Sequence, residues 1–207
     1  MTSPAKSTIA AAAYIRAETF FASGEYETGR RMLERAANRL PVVGAGRVAA
    51  AYGALHMRAA VLAARGGQQV RAHEHIAEAA SVAARTPEGI YTGTAFGPVS
   101  VKIHQVSLAI DAGSPEEALR VAAGWLPPRE LPAERRSHFF VDVADARARC
   151  GRGDDALAAL DVARRIAPQH VRCHPQVRAV LLALSDQAPR RSAAVREFLR
   201  WSGDLSS

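Results

Sequence analysis

Small apolar residues recur at helical spacing through most of the chain, and four times such a run meets a glycine corner and then resumes. The corners are ASGEY at Gly24, RGGQQ at Gly67, AGSPEEA at Gly113 and CGRGDDA at Gly151. Apolar positions at that spacing share one face of an α-helix, and a glycine just beyond the last of them supplies the left-handed backbone that ends it. The pattern predicts one helical hairpin per corner. The first is the most complete: Phe20 and Phe21 precede Gly24, Tyr26 fills the notch between the paired helices, Gly29 permits close approach, and Pro41 stops the second helix beyond Ala36. The fourth repeats this with Gly151, Asp155, Ala156, Leu160, Ala163 and Pro168. The third keeps Gly113, Ala118 and Leu119, and its Ser114-Pro115-Glu116-Glu117 reads as a helix start, with Ser114 as N-cap and acids at the positive dipole end. The second, with Gly67, Ala72, Ile76 and Ala79, is the weakest match.

These residues at these places make the tetratricopeptide (TPR) pattern. The expected fold is all-α, a TPR-like right-handed helical-hairpin solenoid of about four hairpins plus C-terminal capping helices. A disordered tail is expected over 1–7 and a single repeat domain over 8–207, with hairpins at about 8–41, 46–85, 98–127 and 133–168 and capping helices over 175–202. The corners lie 43, 46 and 38 residues apart, longer than the roughly 34 of the ideal repeat, so the connections between hairpins must be extended. The longest is RTPEGIYTGTAFGP, Arg85 to Pro98, whose prolines and glycines forbid regular helix. A loop of that length is usually pinned for a reason.

Composition changes the picture only modestly. Hydrophobic residues are 48% of the chain and aromatics 6%, so the core must come from small side chains that let helices approach closely. The net charge of +7 raises nucleic acid as a partner, but the cations are almost all Arg, scattered through every amphipathic segment, with Lys only at Lys6 and Lys102. A solvated basic surface is expected, without direct DNA binding. Cys150 and Cys173 are too few for a disulfide framework, which suits a reducing cytoplasm. No stretch is long and apolar enough for a signal core or a membrane span.

The segments YTGTAFGPVSVKIHQVSLAIDAG and ERRSHFFVDVADARARCGRGDDALAALDVARRIAPQHVRCHPQVRAVL resemble the tetratricopeptide sensor half of actinobacterial helix-turn-helix regulators of the xenobiotic-response-element (XRE) class. The matching blocks are GTAFGP at Gly93 to Pro98, HPxVR at His174 to Arg178, and the helix end at Arg165 to Pro168. The resemblance runs from about Ala10 to the C-terminus. It implies a ligand- or peptide-sensing regulatory domain that dimerises, and no metal. Two departures stand out: Val99-Ser100 replaces the family's Thr-Asn after GTAFGP, and too few residues precede Thr8 for a helix-turn-helix domain. The chain is therefore expected to be such a sensor without its DNA-binding half.

Catalytic and metal chemistry find little purchase. Ser107, His104 and Asp111 make a paper triad with no nucleophile elbow, and GAGRV at Gly44 to Val48 lacks the lysine and preceding strand of a phosphate loop. His73 and His75, two apart, point to different helix faces. His170, Cys173 and His174 are better spaced, but Pro168 and Pro175 bracket them in an inter-helix turn with no fourth ligand, so packing histidines are expected. No enzyme activity, cofactor or metal is expected. The candidate site is the concave groove of the stack, lined by Tyr14, Tyr52, His56, Ser100, His104, Gln105, Phe140 and Asp142, joined by Tyr91 and Phe96 from the long loop. It would take a protein segment or peptide, with a small-molecule effector as a further candidate. Homodimerisation is expected through terminal helices such as the one bearing Trp201.

Overall fold

The computed structural model describes residues 4–41, 46–91, 93–187 and 192–203. Over these its regular structure is helical apart from one short pair of strands, and it divides into two compact units, Met1–Ala112 and Gly113–Ser207.

The first unit holds α1 (Pro4–Ser23), α2 (Tyr26–Ala37), α3 (Arg47–Arg65), α4 (Gln69–Ala83), strands β1 (Gly89–Tyr91) and β2 (Thr94–Phe96), and α5 (Pro98–Asp111). Its centre is α3, which packs against α1, α2, α4, α5 and both strands. That helix buries Ala50, Leu55, Met57, Ala60 and Leu62 almost completely, so alanine faces allow neighbours on every side. Gly29 meets the predicted need for close approach, since a Cβ there would lie 2.7 Å from Phe20 Cβ.

The second unit holds α6 (Pro115–Ala122), α7 (Ala133–Arg149), α8 (Gly153–Ile166), α9 (Pro168–Cys173), α10 (Pro175–Gln187) and α11 (Ser192–Ser202). Here α7 is the centre, with α6, α8, α9 and α10 against it and Phe139, Val141, Ala144 and Ala146 buried. The four corner glycines have φ of 74°, 74°, 72° and 73°, with open space where a Cβ would sit, so it is the left-handed backbone that calls for glycine. Helix pairs α1/α2, α3/α4 and α7/α8 pack together across the first, second and fourth corners.

Several boundaries differ from the expectation. Helix α1 begins at Pro4, inside the predicted tail over 1–7, whose first three residues lie outside the described residues. The boundary between the two compact units, Ala112–Gly113, falls within the span expected for the third hairpin. Helix α6 is short and buries only Ala118, which gives it little surface to pack with. Ser114 does take the N-cap position, with Pro115 and two glutamates following, but its hydroxyl makes no capping hydrogen bond. The predicted turn between Pro168 and Pro175 is a helix, α9. Proline's fixed φ and missing N–H are tolerated at a first helical position, so Pro168 opens a helix as readily as it closes the one before.

Candidate functional site

The long loop of the first unit folds onto its own core. Strands β1 and β2 form an antiparallel hairpin pairing Gly89 with Phe96, Ile90 with Ala95 and Tyr91 with Thr94. Phe96, fully buried, rests on Gly53 of α3, where an added Cβ would fall 2.0 Å from the ring. Glu88 turns its carboxylate back onto the start of α5, accepting hydrogen bonds from the backbone N–H groups of Val99 (2.9 Å) and Ser100 (3.0 Å) and from the Ser100 hydroxyl. A charged acceptor there satisfies orphan donors and meets the positive end of the helix dipole. The GTAFGP block thus has a structural account: Phe96 is a plug, Gly97 at φ 150° passes 2.4 Å from Glu88 Cα as measured from a built Cβ, and Pro98 begins α5.

This arrangement corrects part of the predicted groove. Phe96 and Ser100 are wholly buried and Asp142 is 2% exposed, so these three fill the interior instead of lining an open surface. Tyr14 and Tyr91 do come together, around a cavity of only about 10 Å³ with Ala51, Ala54 and Thr94. The Tyr91 hydroxyl donates to the Pro87 carbonyl at 2.8 Å. His104 places Nδ1 2.9 Å from the Ser100 carbonyl, Ser107 donates to the Ile103 carbonyl, and Gln105 is half-buried on the same helix.

Tyr52 and His56 belong to a polar chain running between helices α2, α3 and α4. The Tyr52 hydroxyl donates to Glu78 at 2.9 Å, and burial together with that carboxylate pushes its pKa up to about 12. His56 and His75 face each other through their Nδ1 atoms at 3.0 Å, and His75 Nε2 reaches Glu34 at 3.0 Å. Glu34 as acceptor fixes the proton on His75 Nε2, leaving its Nδ1 to accept from His56 Nδ1–H. Burial, then the neighbouring His75, holds His56 down to about 4; burial also lowers His75, against the pull of Glu34. Arg30, 8% exposed, continues the chain by pairing with Glu34 and Glu27. The sequence reading singled out Tyr52 and His56 but missed Glu34, Glu78 and Arg30, which lie on other helices.

An open recess of this unit lies between α1 and α2, about 760 Å³, floored by Ile9, Ala12, Ala13, Phe20, Met32 and Ala36. Arg16, Arg31, Arg35 and Arg39 also line it, with Glu27 as its one acid. Glu27 is already engaged by Arg30, Arg31 and Gln68, whose hydrogen bonds hold its carboxyl down to about 2. Arg31 shares Glu27 with Arg30, while Arg16, Arg35 and Arg39 pair with no acid among the described residues, so the recess offers apolar contact beside guanidinium charge that is only partly balanced. None of the ten predicted groove residues lines it.

In the second unit Phe140 borders another recess, about 610 Å³, with Trp125, Leu126, Phe139 and Val162. Asp142 is bridged to Asp145 by the Gln176 side-chain amide, at 3.2 and 3.0 Å. Arg149 pairs with Asp145 through two hydrogen bonds of 2.8 and 2.9 Å. Trp201 is half-buried, with the Arg164 and Arg172 guanidinium groups 5.2 and 4.7 Å from its ring. Three histidines converge here: His138 from α7, His170 within α9 and His174 at its end, with candidate donor atoms all within 4.8 Å of one another. Cys173, grouped with His170 and His174 by spacing, is exposed and stands outside that trio, whose third member comes from a distant helix. Burial lowers His170, and takes His174 down to about 4, with His138 adding to both effects.

Comparison of the chain with family models, with curated proteins and with solved structures gives no significant match.

Proposed function

We propose that this chain is a TPR-like regulatory domain that binds protein segments, and that its docking surface is the recess between α1 and α2. One observation carries the reading: an apolar floor of about 760 Å³ flanked by four arginines against a single lining acid, Glu27, which Arg31 shares with Arg30. An amphipathic peptide with aliphatic residues on one face and aspartates or glutamates on the other matches both properties. The helix pairs turned at like corners support the repeat assignment, and the GTAFGP and HPxVR blocks support the finer one, a ligand- or peptide-sensing part of an XRE-type transcriptional regulator. On this reading the chain works in the cytoplasm as a binding module without catalysis, and self-associates through its terminal helices. No helix among the described residues is long and apolar enough to cross a membrane.

The test is fluorescence anisotropy with labelled acidic amphipathic helical peptides. Saturable binding is expected, weakening with salt and dropping at least tenfold in the Arg31→Glu/Arg35→Glu variant, since reversed charge at the rim turns attraction into repulsion. Binding that ignores both salt and charge reversal, or no saturation at all, would sink the reading. A plain interaction scaffold is the second reading. It is favoured if protein segments alone shift the melting temperature, whereas saturable stabilisation by a metabolite favours a small-molecule sensor.

A further inference from the structure

We propose that His138, His170 and His174 form a binding site for a divalent late first-row transition metal, zinc(II) above all, which clamps α9 onto α7. The first support is convergence. His138 Nδ1 lies 3.1 Å from His174 Nε2, and the donor atoms of all three rings fall within 4.8 Å of one another. Tetrahedral zinc with nitrogens at 2.0–2.1 Å sets its ligands roughly 3.3 Å apart. One edge of that tetrahedron is nearly formed, and small ring rotations bring in the third donor.

The second support is the set of groups behind the rings. The Ser137 hydroxyl donates to the Ala163 carbonyl at 3.2 Å, so toward His170 Nδ1, also at 3.2 Å, it can only accept. That places the proton on His170 Nδ1 and leaves Nε2 as a bare donor atom. His138 Nε2 lies 3.5 Å from Asp142 Oδ2, and Asp142 is held in turn by Gln176. A carboxylate behind the ring favours the proton on Nε2 and aims the Nδ1 lone pair at His174. Carboxylates and hydroxyls that orient imidazoles in this way are the usual outer partners of metal-binding histidines.

The third support is a conflict that a cation relieves. His174 Nδ1 is buried with no hydrogen-bond partner among the described residues. If its proton sits on Nδ1, that donor has no acceptor, and two lone pairs face each other across 3.1 Å. If the proton moves to Nε2, the contact to His138 is satisfied but Nδ1 is left a buried lone pair. A metal ion among the rings removes the lone-pair repulsion of the first arrangement and outweighs the stranded N–H. Three neutral imidazoles suit zinc, nickel or copper over the hard cations magnesium and calcium. Because α9 has only six residues and packs on α7, α8 and α11, fixing it to α7 ties the C-terminal helices to the centre of the unit.

The experiment uses tag-free full-length chain, dialysed against chelator and titrated with zinc chloride in a calorimeter. One equivalent is expected to bind with Kd below about 10 µM, and the chelated chain is expected to regain a higher melting temperature on zinc addition. His170→Gln and His138→Gln should each weaken binding at least tenfold, while Cys173→Ser and His73→Gln should leave it unchanged. Far-UV circular dichroism checks that each variant folds, and visible absorption of cobalt(II) in the zinc-free chain reports a low-coordinate nitrogen site without depending on stability. Zinc affinity unchanged in the folded His170→Gln variant, or no saturable binding by either metal, overturns the proposal. Loss of zinc binding in Cys173→Ser would transfer the site to the cysteine-containing set and overturn it as well. Peptide binding at the α1/α2 recess is measured separately, so neither proposal depends on the other.

Discussion

Each unit gathers histidines between helices, yet the two gatherings are built on opposite principles. In the first, His56 and His75 sit in a line of alternating donors and acceptors that ends on Glu34 and Arg30, and the ring nitrogens that face one another have complementary roles. In the second, three rings crowd together beside the Asp142 and Glu134 carboxylates, and the buried His174 Nδ1 has no partner among the described residues. A histidine chain closed by a carboxylate is a structural polar network. A histidine cluster in which lone pairs converge and the supporting groups stand behind the rings is arranged for a cation.

The sharpest way to break this contrast is to remove the terminal acceptor of the first cluster. Glu34→Leu is expected to cost about 2–3 kcal/mol in chemical denaturation, because it strips a partner from nearly buried Arg30 and from His75. The corresponding change in the second cluster, His174→Leu measured after chelation, should stay within about 1 kcal/mol, since it gives up only the Nε2 contact to His138 and relieves the stranded Nδ1. Equal costs at the two positions would erase the distinction.

Acid is the next probe. His56 sits at about 4 in the folded chain, against about 6.5 when unfolded. Between those values the unfolded chain takes up a proton that the folded chain refuses, so stability present above pH 6.5 is lost as pH falls toward 4. The loss from this residue should approach about 3 kcal/mol near pH 4. Melting temperatures taken from pH 7.5 to 4 should show a shallower slope in His56→Gln. Glu27, held down to about 2 by its arginine and glutamine partners, acts in a separate and lower window, between 4.5 and 2. The smallest effect should be the direct coupling of His56 to His75, about 1 kcal/mol in a double-mutant cycle.

The regular part of the fold was legible because its signals are local. Gly24, Gly67, Gly113 and Gly151 announce left-handed corners, and each falls where a helix ends. The spans 46–85 and 133–168 enclose α3 with α4 and α7 with α8 almost to the residue. What stayed hidden depends on contacts between residues far apart in the chain. Strands of three residues carry too little periodicity to announce pairing, and Phe96 reads as a loop aromatic until Gly53, on another helix, opens space for it. His138 could not be joined to His170 and His174 by spacing, because only the packing of α9 on α7 brings them together. The recess between α1 and α2 was masked by its own residues: alanines and arginines alternating on a helix face look like ordinary solvated surface until the second helix supplies the opposite wall.

Glu88 carries a consequence for engineering. Helix α5 borrows its starting cap from a residue ten positions upstream, across both strands, so the strand pair is no detachable insertion. A flexible linker of equal length grafted between Ala84 and Pro98 would leave the first turn of α5 without its anion and α3 without its aromatic wedge at once. The unit would be expected to loosen along two faces, and its amides on α3 and α5 to exchange with solvent together.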